Sequence, residues 1–231
     1  MLDLTYCDFN GTFDIQGFET GRSILTKLKT LNLGDNKFNE SIITSLSTLS
    51  SLTNLDLSQN PMLGPFPAQE FTALENLEML DLSYCGFTGT FEIQGSERVP
   101  ILRKLKTLNL VSNGFNESVI KSLNTLSSLT TLDLSYNPMS GPFPAQELSH
   151  LINLEELDLS GTQFNGTPNI QACKTLSILK RLESISLYDN NFDKSIISCL
   201  SVLPSLKILD LSRSKSLGTS FPVQGIPFLE Q

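Results

Sequence analysis

The sequence predicts an α/β solenoid wound around one parallel concave sheet, and three observations predict it. A nine-residue pattern, L-x-x-L-x-L-x-x-N/C, recurs along the 231 residues. Its inner leucines alternate with polar residues, the period-two signature of a short half-buried strand. The copies also fall at regular intervals. The middle Leu-type residue is Leu2, Leu31, Leu55, Leu80, Leu108, Leu132, Leu157, Ile185 and Leu209, at spacings of 29, 24, 25, 28, 24, 25, 28 and 24. No single copy can close a core of its own, so about nine repeats must stack as one segment over 1–231.

The copies begin near residues 1, 28, 52, 77, 105, 129, 154, 182 and 206. A truncated MLDLTYC opens the series, and LKTLNLGDN (28–36), LTNLDLSQN (52–60) and LEMLDLSYC (77–85) follow. A larger period of 77 residues lies on top: KLKTLNLGDNKFNES (27–41) returns as KLKTLNLVSNGFNES (104–118), and PFPAQE (65–70) as PFPAQE (142–147). A three-repeat block was copied, so identity between blocks reports shared descent.

Each strand should end at position 9, where an Asn amide can bond the turn and the adjoining repeat. That ladder reads Cys7, Asn36, Asn60, Cys85, Asn113, Asn137, Thr162, Asn190 and Ser214, with Thr162 and Ser214 expected to be weak rungs. Two residues on, Phe9, Phe38, Met62, Phe87, Phe115, Met139, Phe164 and Phe192 should form a buried spine. Stretches such as IITSLSTLSSL (42–52) space their apolar residues by three and four, which suits a short helix or 3₁₀ turn on the convex side.

Composition removes several functions. With 16 Lys+Arg against 24 Asp+Glu the net charge is −8, without a basic block, which is a poor match to nucleic acid. No run approaches the ~20 apolar residues of a membrane span. One histidine, no nucleophile motif, no phosphate-binding glycine loop and no close Cys/His cluster argue against an enzyme, a metal site or any cofactor. The lone His150 falls on the convex side and reads as a surface residue.

Binding residues are expected on the concave face. Position 5 carries Asp3, Asn32, Asp56, Asp81, Asn109, Asp133, Asp158, Ser186 and Asp210. An inter-strand spacing of ~4.8 Å makes that column a solvated ladder rather than a ligand shell. Position 8 departs from any consensus, with Tyr6, Asp35, Gln59, Tyr84, Ser112, Tyr136, Gly161, Asp189 and Arg213; position 7 adds Tyr188. The ligand-binding candidates are therefore Tyr84, Tyr136, Tyr188, Asp35, Gln59, Ser112, Asp189 and Arg213, since aromatics on a rigid surface anchor recognition.

Four cysteines permit disulfides in a secreted chain. Cys7 and Cys85 occupy inward ladder positions about three rungs apart, or ~14 Å, too far to bridge. Cys173 and Cys199 fall on convex segments. The expectation is four free thiols, buried or half-buried. Glycosylation sequons occur at Asn10, Asn39, Asn116 and Asn165, each one residue after a spine Phe, and so in one column along the side of the solenoid.

LDLSQNPMLGPFP (55–67) and LDLSYNPMSGPFP (132–144) resemble the L-x-x-L-x-L-S-x-N-x-F-x-G-x-[FI]-P repeat of plant extracellular leucine-rich-repeat receptors. LDLSGTQFNGTPNIQ (157–171) is a looser copy. FPAQEFTALENLEMLDLS (66–83) is similar to plant receptor-like proteins, cell-surface receptors without a kinase domain. The resemblance covers essentially the whole chain. It implies a leucine-rich-repeat horseshoe or superhelix and a non-catalytic ectodomain segment. It further implies perception of a peptide, protein or glycan-type ligand, signalling through a receptor-like kinase co-receptor, and the extracellular side of the plasma membrane. The family's end caps, secretion signal and membrane helix are not matched by any stretch here. The chain therefore reads as an internal ectodomain piece or the product of a truncated gene. A secreted leucine-rich-repeat inhibitor or decoy of the polygalacturonase-inhibitor type is the alternative. Without caps, Leu2, Leu4 and Phe9 at one end and Leu209, Leu211 and Phe221 at the other should be left uncovered.

Overall fold

A computed structural model describes residues 1–11, 25–92, 101–166, 169–214 and 217–218. Nine short parallel strands form one sheet in chain order: β1 (Leu2–Asp3), β2 (Thr30–Asn32), β3 (Asn54–Asp56), β4 (Met79–Asp81), β5 (Thr107–Asn109), β6 (Thr131–Asp133), β7 (Glu156–Asp158), β8 (Ser184–Ser186) and β9 (Ile208–Asp210). The register joins like to like, with Leu31 opposite Leu55, Leu55 opposite Leu80 and Leu80 opposite Leu108. In β2 to β8 the middle Leu or Ile is buried and its two neighbours face outward. The half-buried strand read from alternation is thus three residues long, from position 3 to position 5.

Behind the strands runs a continuous apolar core. Phe38, Phe87, Phe115, Phe164 and Phe192 are buried, as are Met62 and Met139 where the spine changes residue. Short helices close the convex side: α1 (Ser41–Leu46), α2 (Ser118–Ser122), α3 (Ala145–Leu148), α4 (Ile170–Cys173) and α5 (Ser195–Leu200), with 3₁₀ turns between. Their inward residues, Ile42, Ile43 and Leu46 in α1 for example, join the core. At the ends Leu2, Leu4, Leu209 and Leu211 are only partly covered and Phe9 is 44% exposed, while Phe221 lies outside the described residues.

The ladder explains how the rungs are held. Asn60 Oδ1 accepts the Phe38 N–H of the preceding repeat at 3.0 Å, and its Nδ2 donates back to Leu33 O and to Leu57 O in its own repeat, both at 3.0 Å. Asn113, Asn137 and Asn190 repeat the scheme on Phe87, Phe115 and Phe164. Cys85 keeps only half of it, its thiol donating to Leu57 O at 3.2 Å while Met62 N turns to backbone carbonyls. The Thr162 hydroxyl lies 2.7 Å from Leu159 O in its own repeat and 3.1 Å from Asn190 Oδ1 ahead, its one proton serving either acceptor, and makes no bond back to repeat six. The Ser214 hydroxyl is buried without a partner. Both departures are therefore weak rungs in hydrogen-bond terms.

The structure corrects the cysteine expectation. Cys173 and Cys199 form a disulfide between α4 and α5, with Cα atoms 5.0 Å apart. The two residues are 26 apart, close to one repeat, so stacking brings their convex positions together. Cys7 and Cys85 are free, but only Cys85 is buried; Cys7 is exposed, since it lies on the first rung and has no earlier rung over it. Burial pushes the Cys85 thiol up to about 12, with Asp81 and Asp56 adding to the effect.

Candidate functional site on the strand-exit flank

The strands present two unlike columns. At position 5, the carboxylates of Asp56, Asp81, Asp133 and Asp158 each accept the backbone N–H of the Ser two residues on, at 2.7–2.9 Å. Asn109 does the same for Val111 at 3.1 Å. The column therefore caps strand ends, and a neutral amide performs that task as well as a carboxylate. Burial raises Asp133 above the usual carboxylate range; nearby Asp158 and Asp81 add to this, and bonds from Ser135 oppose it.

Position 8 behaves differently. Every residue of that column is in the left-handed region: Tyr6, Asp35, Gln59, Tyr84, Ser112, Tyr136, Gly161, Asp189 and Arg213, with φ between 52° and 62°. Such a conformation costs an L-residue about 1–2 kcal/mol, and only Gly161 escapes that cost. The repeat enforces it from two sides. The position-8 N–H donates to the position-7 carbonyl of the next repeat, as in Tyr84 N to Val111 O at 2.8 Å and Tyr136 N to Ser160 O at 2.7 Å. The chain must then turn sharply inward so that the ladder Asn can reach its carbonyls. The column thus lies just past the strands, on the exit flank of the sheet. Tyr84, Tyr136, Asp35, Gln59, Ser112, Asp189 and Arg213 thus stand at the exit end of the strands, where bonds to the next repeat continue.

Side chains on this flank meet across repeats. The Tyr136 ring lies over Gly161, where a Cβ would come within 2.7 Å of it, so ring and glycine fit only together. Tyr84 is 59% and Tyr136 52% exposed. Tyr188 is half-buried under the Arg213 guanidinium, whose carbon is 5.4 Å from the ring centroid. Asp189 and Arg213 share an open groove of about 470 Å³ with Ser140, Gln163, Asn165 and Asn191. Asp35, Gln59 and Ser112 stand alone in the column, each a repeat or more from that groove. Two flank residues had no sequence signal. Leu63 is 70% exposed at φ 32° and covers Gly86. Gln163 is left-handed at φ 69°.

The strand-entry edge offers a contrast. There Lys106 pairs with Glu78, Arg181 with Glu155 and Lys207 with Glu183, at 2.7–2.8 Å between adjacent repeats. These exposed pairs contribute little stability, but they occupy each other. The exit flank carries one such pair among the described residues, Lys37 with Asp8 at 2.8 Å, and leaves tyrosines uncovered. His150 is exposed on the convex side, its Nδ1 3.2 Å from Glu147 O. The described residues hold no group of three or more His, Cys, Asp or Glu suited to a metal, and no helix among them is long and apolar enough to cross a membrane.

Comparisons with known proteins agree with this architecture. Residues 26–87 match the leucine rich repeat family model, and residues 68–176 match that of Zer-1-like leucine-rich repeats. Receptor-like protein 13 of Arabidopsis thaliana is 41% identical over 148 residues, which is 64% of this chain and 14% of that protein. Receptor-like protein EIX1 of Solanum lycopersicum is 37% identical over 161 residues, 69% of this chain and 15% of the relative. The chain thus spans about a seventh of these relatives. Among solved structures, the Arabidopsis receptor kinase HAESA, in complex with the peptide hormone IDA and the co-receptor SERK1, superposes with a TM-score of 0.69. It is 27% identical, over 91% of this chain and 33% of the receptor. The PEPR1–AtPEP1 complex gives 0.65 at 26% identity, over 88% and 26%. The Leptospira interrogans protein LIC12759 gives 0.65 at 24% identity over 99% and 58%, a likeness of fold.

Proposed function

Since the chain belongs to the leucine-rich-repeat receptor-like proteins of plants, we propose that it is a non-catalytic, ligand-reading stretch of a cell-surface receptor. Its ligand is a peptide or a protein, taken along the concave sheet and its exit flank. The observation that carries this reading is the left-handed column with Tyr84 and Tyr136 exposed at fixed spacing on a backbone that cannot relax. A rigid aromatic anchor loses little conformational entropy on binding. Repeats 24–29 residues long offer such anchors at regular steps, which suits an extended ligand crossing several strands.

The superposed receptor kinase HAESA is in complex with a peptide hormone and a co-receptor. That supports a peptide ligand here and a receptor-like kinase as signalling partner, at the outer side of the plasma membrane. Hydrogen exchange on the secreted chain, with and without a synthetic peptide selected for binding from a random library, tests the surface. Protection at 81–86 and 133–138 is the expected result. Protection confined to the convex helices α1 to α5 overturns the assignment.

A further inference from the structure

The 77-residue period keeps the buried spine: Phe38, Met62 and Phe87 return as Phe115, Met139 and Phe164. The exit flank changes instead, and it changes in pairs drawn from adjacent repeats. Gln59 and Tyr84 become Tyr136 and Gly161, while Leu63 and Gly86 become Ser140 and Gln163. In each pair a glycine makes room for a large neighbour. Gly161 lies under the Tyr136 ring, and Gly86 lies under Leu63, where a Cβ would stand 2.7 Å from the leucine Cδ2.

Leu63 is held in place against its own preference. Met62 and Leu63 both donate to Cys85 O of the next repeat, at 3.0 and 3.2 Å. Leu63 sits at φ 32°, a region costly for a leucine. Its counterpart Ser140 donates to Glu117 Oε2 of the preceding repeat at 3.4 Å and stays outside the left-handed region. The strain adds nothing to the core, because Leu63 is 70% exposed. Tyr84, two residues before Gly86, is exposed as well. Leucine and tyrosine together make an apolar patch on an otherwise polar flank.

The charge beside this patch has one sign. Between positions 3 and 12 of repeats two to four stand Asp35, Asp56 and Asp81, against the single cation Lys37. Lys37 is already paired with Asp8 at 2.8 Å. The surplus is local, since the same column carries Arg213 in repeat nine.

We propose that Leu63, Gly86 and Tyr84 form a subsite for one apolar side chain of a peptide ligand, with a Lys or Arg of the same peptide reaching Asp35 or Asp56. An extended peptide rises ~3.3 Å per residue, so the two side chains stand within ~3 residues of each other. The subsite presupposes the peptide-reading role proposed above and specifies which side chains are read, and where. Repeats six and seven, with Ser140 and Gln163 in its place, do not offer it.

The second block supplies the test. L63S/G86Q rewrites the subsite as the Ser140–Gln163 pair, and Gln163 already sits at φ 69° in this fold. D35N/D56N removes charge, and Asn109 shows that an amide still caps a strand end. The secreted full chain and both variants are applied to an array of short synthetic peptides that varies apolar, basic and acidic residues at every position. The unaltered chain should favour peptides pairing an apolar with a basic residue. L63S/G86Q should weaken these about tenfold and keep the basic preference; D35N/D56N should do the reverse. If L63S/G86Q is not secreted, L63S alone carries the same expectation. An apolar preference equal in the unaltered chain and the subsite variant overturns the subsite and leaves the peptide-reading role standing. A preference for acidic peptides overturns the charge assignment. A chain that binds no peptide of the array overturns both the subsite and the peptide-reading role.

Discussion

At the residue scale, one side chain per repeat decides how well neighbours are joined. Asn137 satisfies the buried Phe115 N–H and donates to Leu110 O and Leu134 O. Removing it leaves several buried backbone groups without partners, each worth about 1–3 kcal/mol. Asn137→Ala should therefore lower stability by about 3 kcal/mol, read as a shift in urea midpoint. The converse test is sharper. Thr162 makes no bond back to repeat six, so Thr162→Asn should complete a rung and raise stability by about 1 kcal/mol. A destabilising Thr162→Asn would show that this rung is shaped for Thr. The ladder was legible in the sequence because Asn, Cys, Thr and Ser differ in donor and acceptor count. The handedness of position 8 was not, because Tyr, Gln and Arg carry no mark of a positive φ. Their conformation is imposed by bonds to the next repeat.

At the element scale, the nine strands were visible as period-two alternation and the convex helices as spacings of three and four. Strand length was overread, since positions 7 and 8 leave the strand to let the ladder residue turn inward. The disulfide between α4 and α5 was missed for a related reason. Spacing was applied to the two ladder cysteines and correctly kept them apart, but the same rule puts two convex residues one repeat apart within bridging reach. Closing a 26-residue loop restricts the unfolded chain by about 3 kcal/mol. Replacing both cysteines, Cys173→Ser with Cys199→Ser, should loosen repeats seven to nine by that amount. Amide exchange in Ser195–Leu200 should rise about a hundredfold, while β2 to β4 remain as protected as before. Equal exchange in α5 with and without the bridge would show that stacking alone holds these repeats.

At the scale of the whole molecule, the solenoid has two unlike rims. Three of the four ion pairs among the described residues occupy the entry edge, whereas the exit flank, with only Lys37–Asp8, combines a constrained backbone, exposed tyrosines and the sequon column. The 77-residue period sets Gln59 against Tyr136 and Tyr84 against Gly161, so the two blocks carry their tyrosine at different positions of the column, and Tyr136 covers the glycine that stands where the first block has Tyr84. The overall fold and the site's residue types could be read from the repeat, but the groove joining Gln163, Asp189 and Arg213 could not, because it forms across three repeats. The most direct measurement is the affinity of a library-selected peptide for the secreted chain, compared with Tyr84→Ala and, as a convex-side control, His150→Ala. The account predicts about tenfold or greater weakening by Tyr84→Ala, the scale of a binding anchor, and no change for His150→Ala. Equal affinity for all three chains would contradict it.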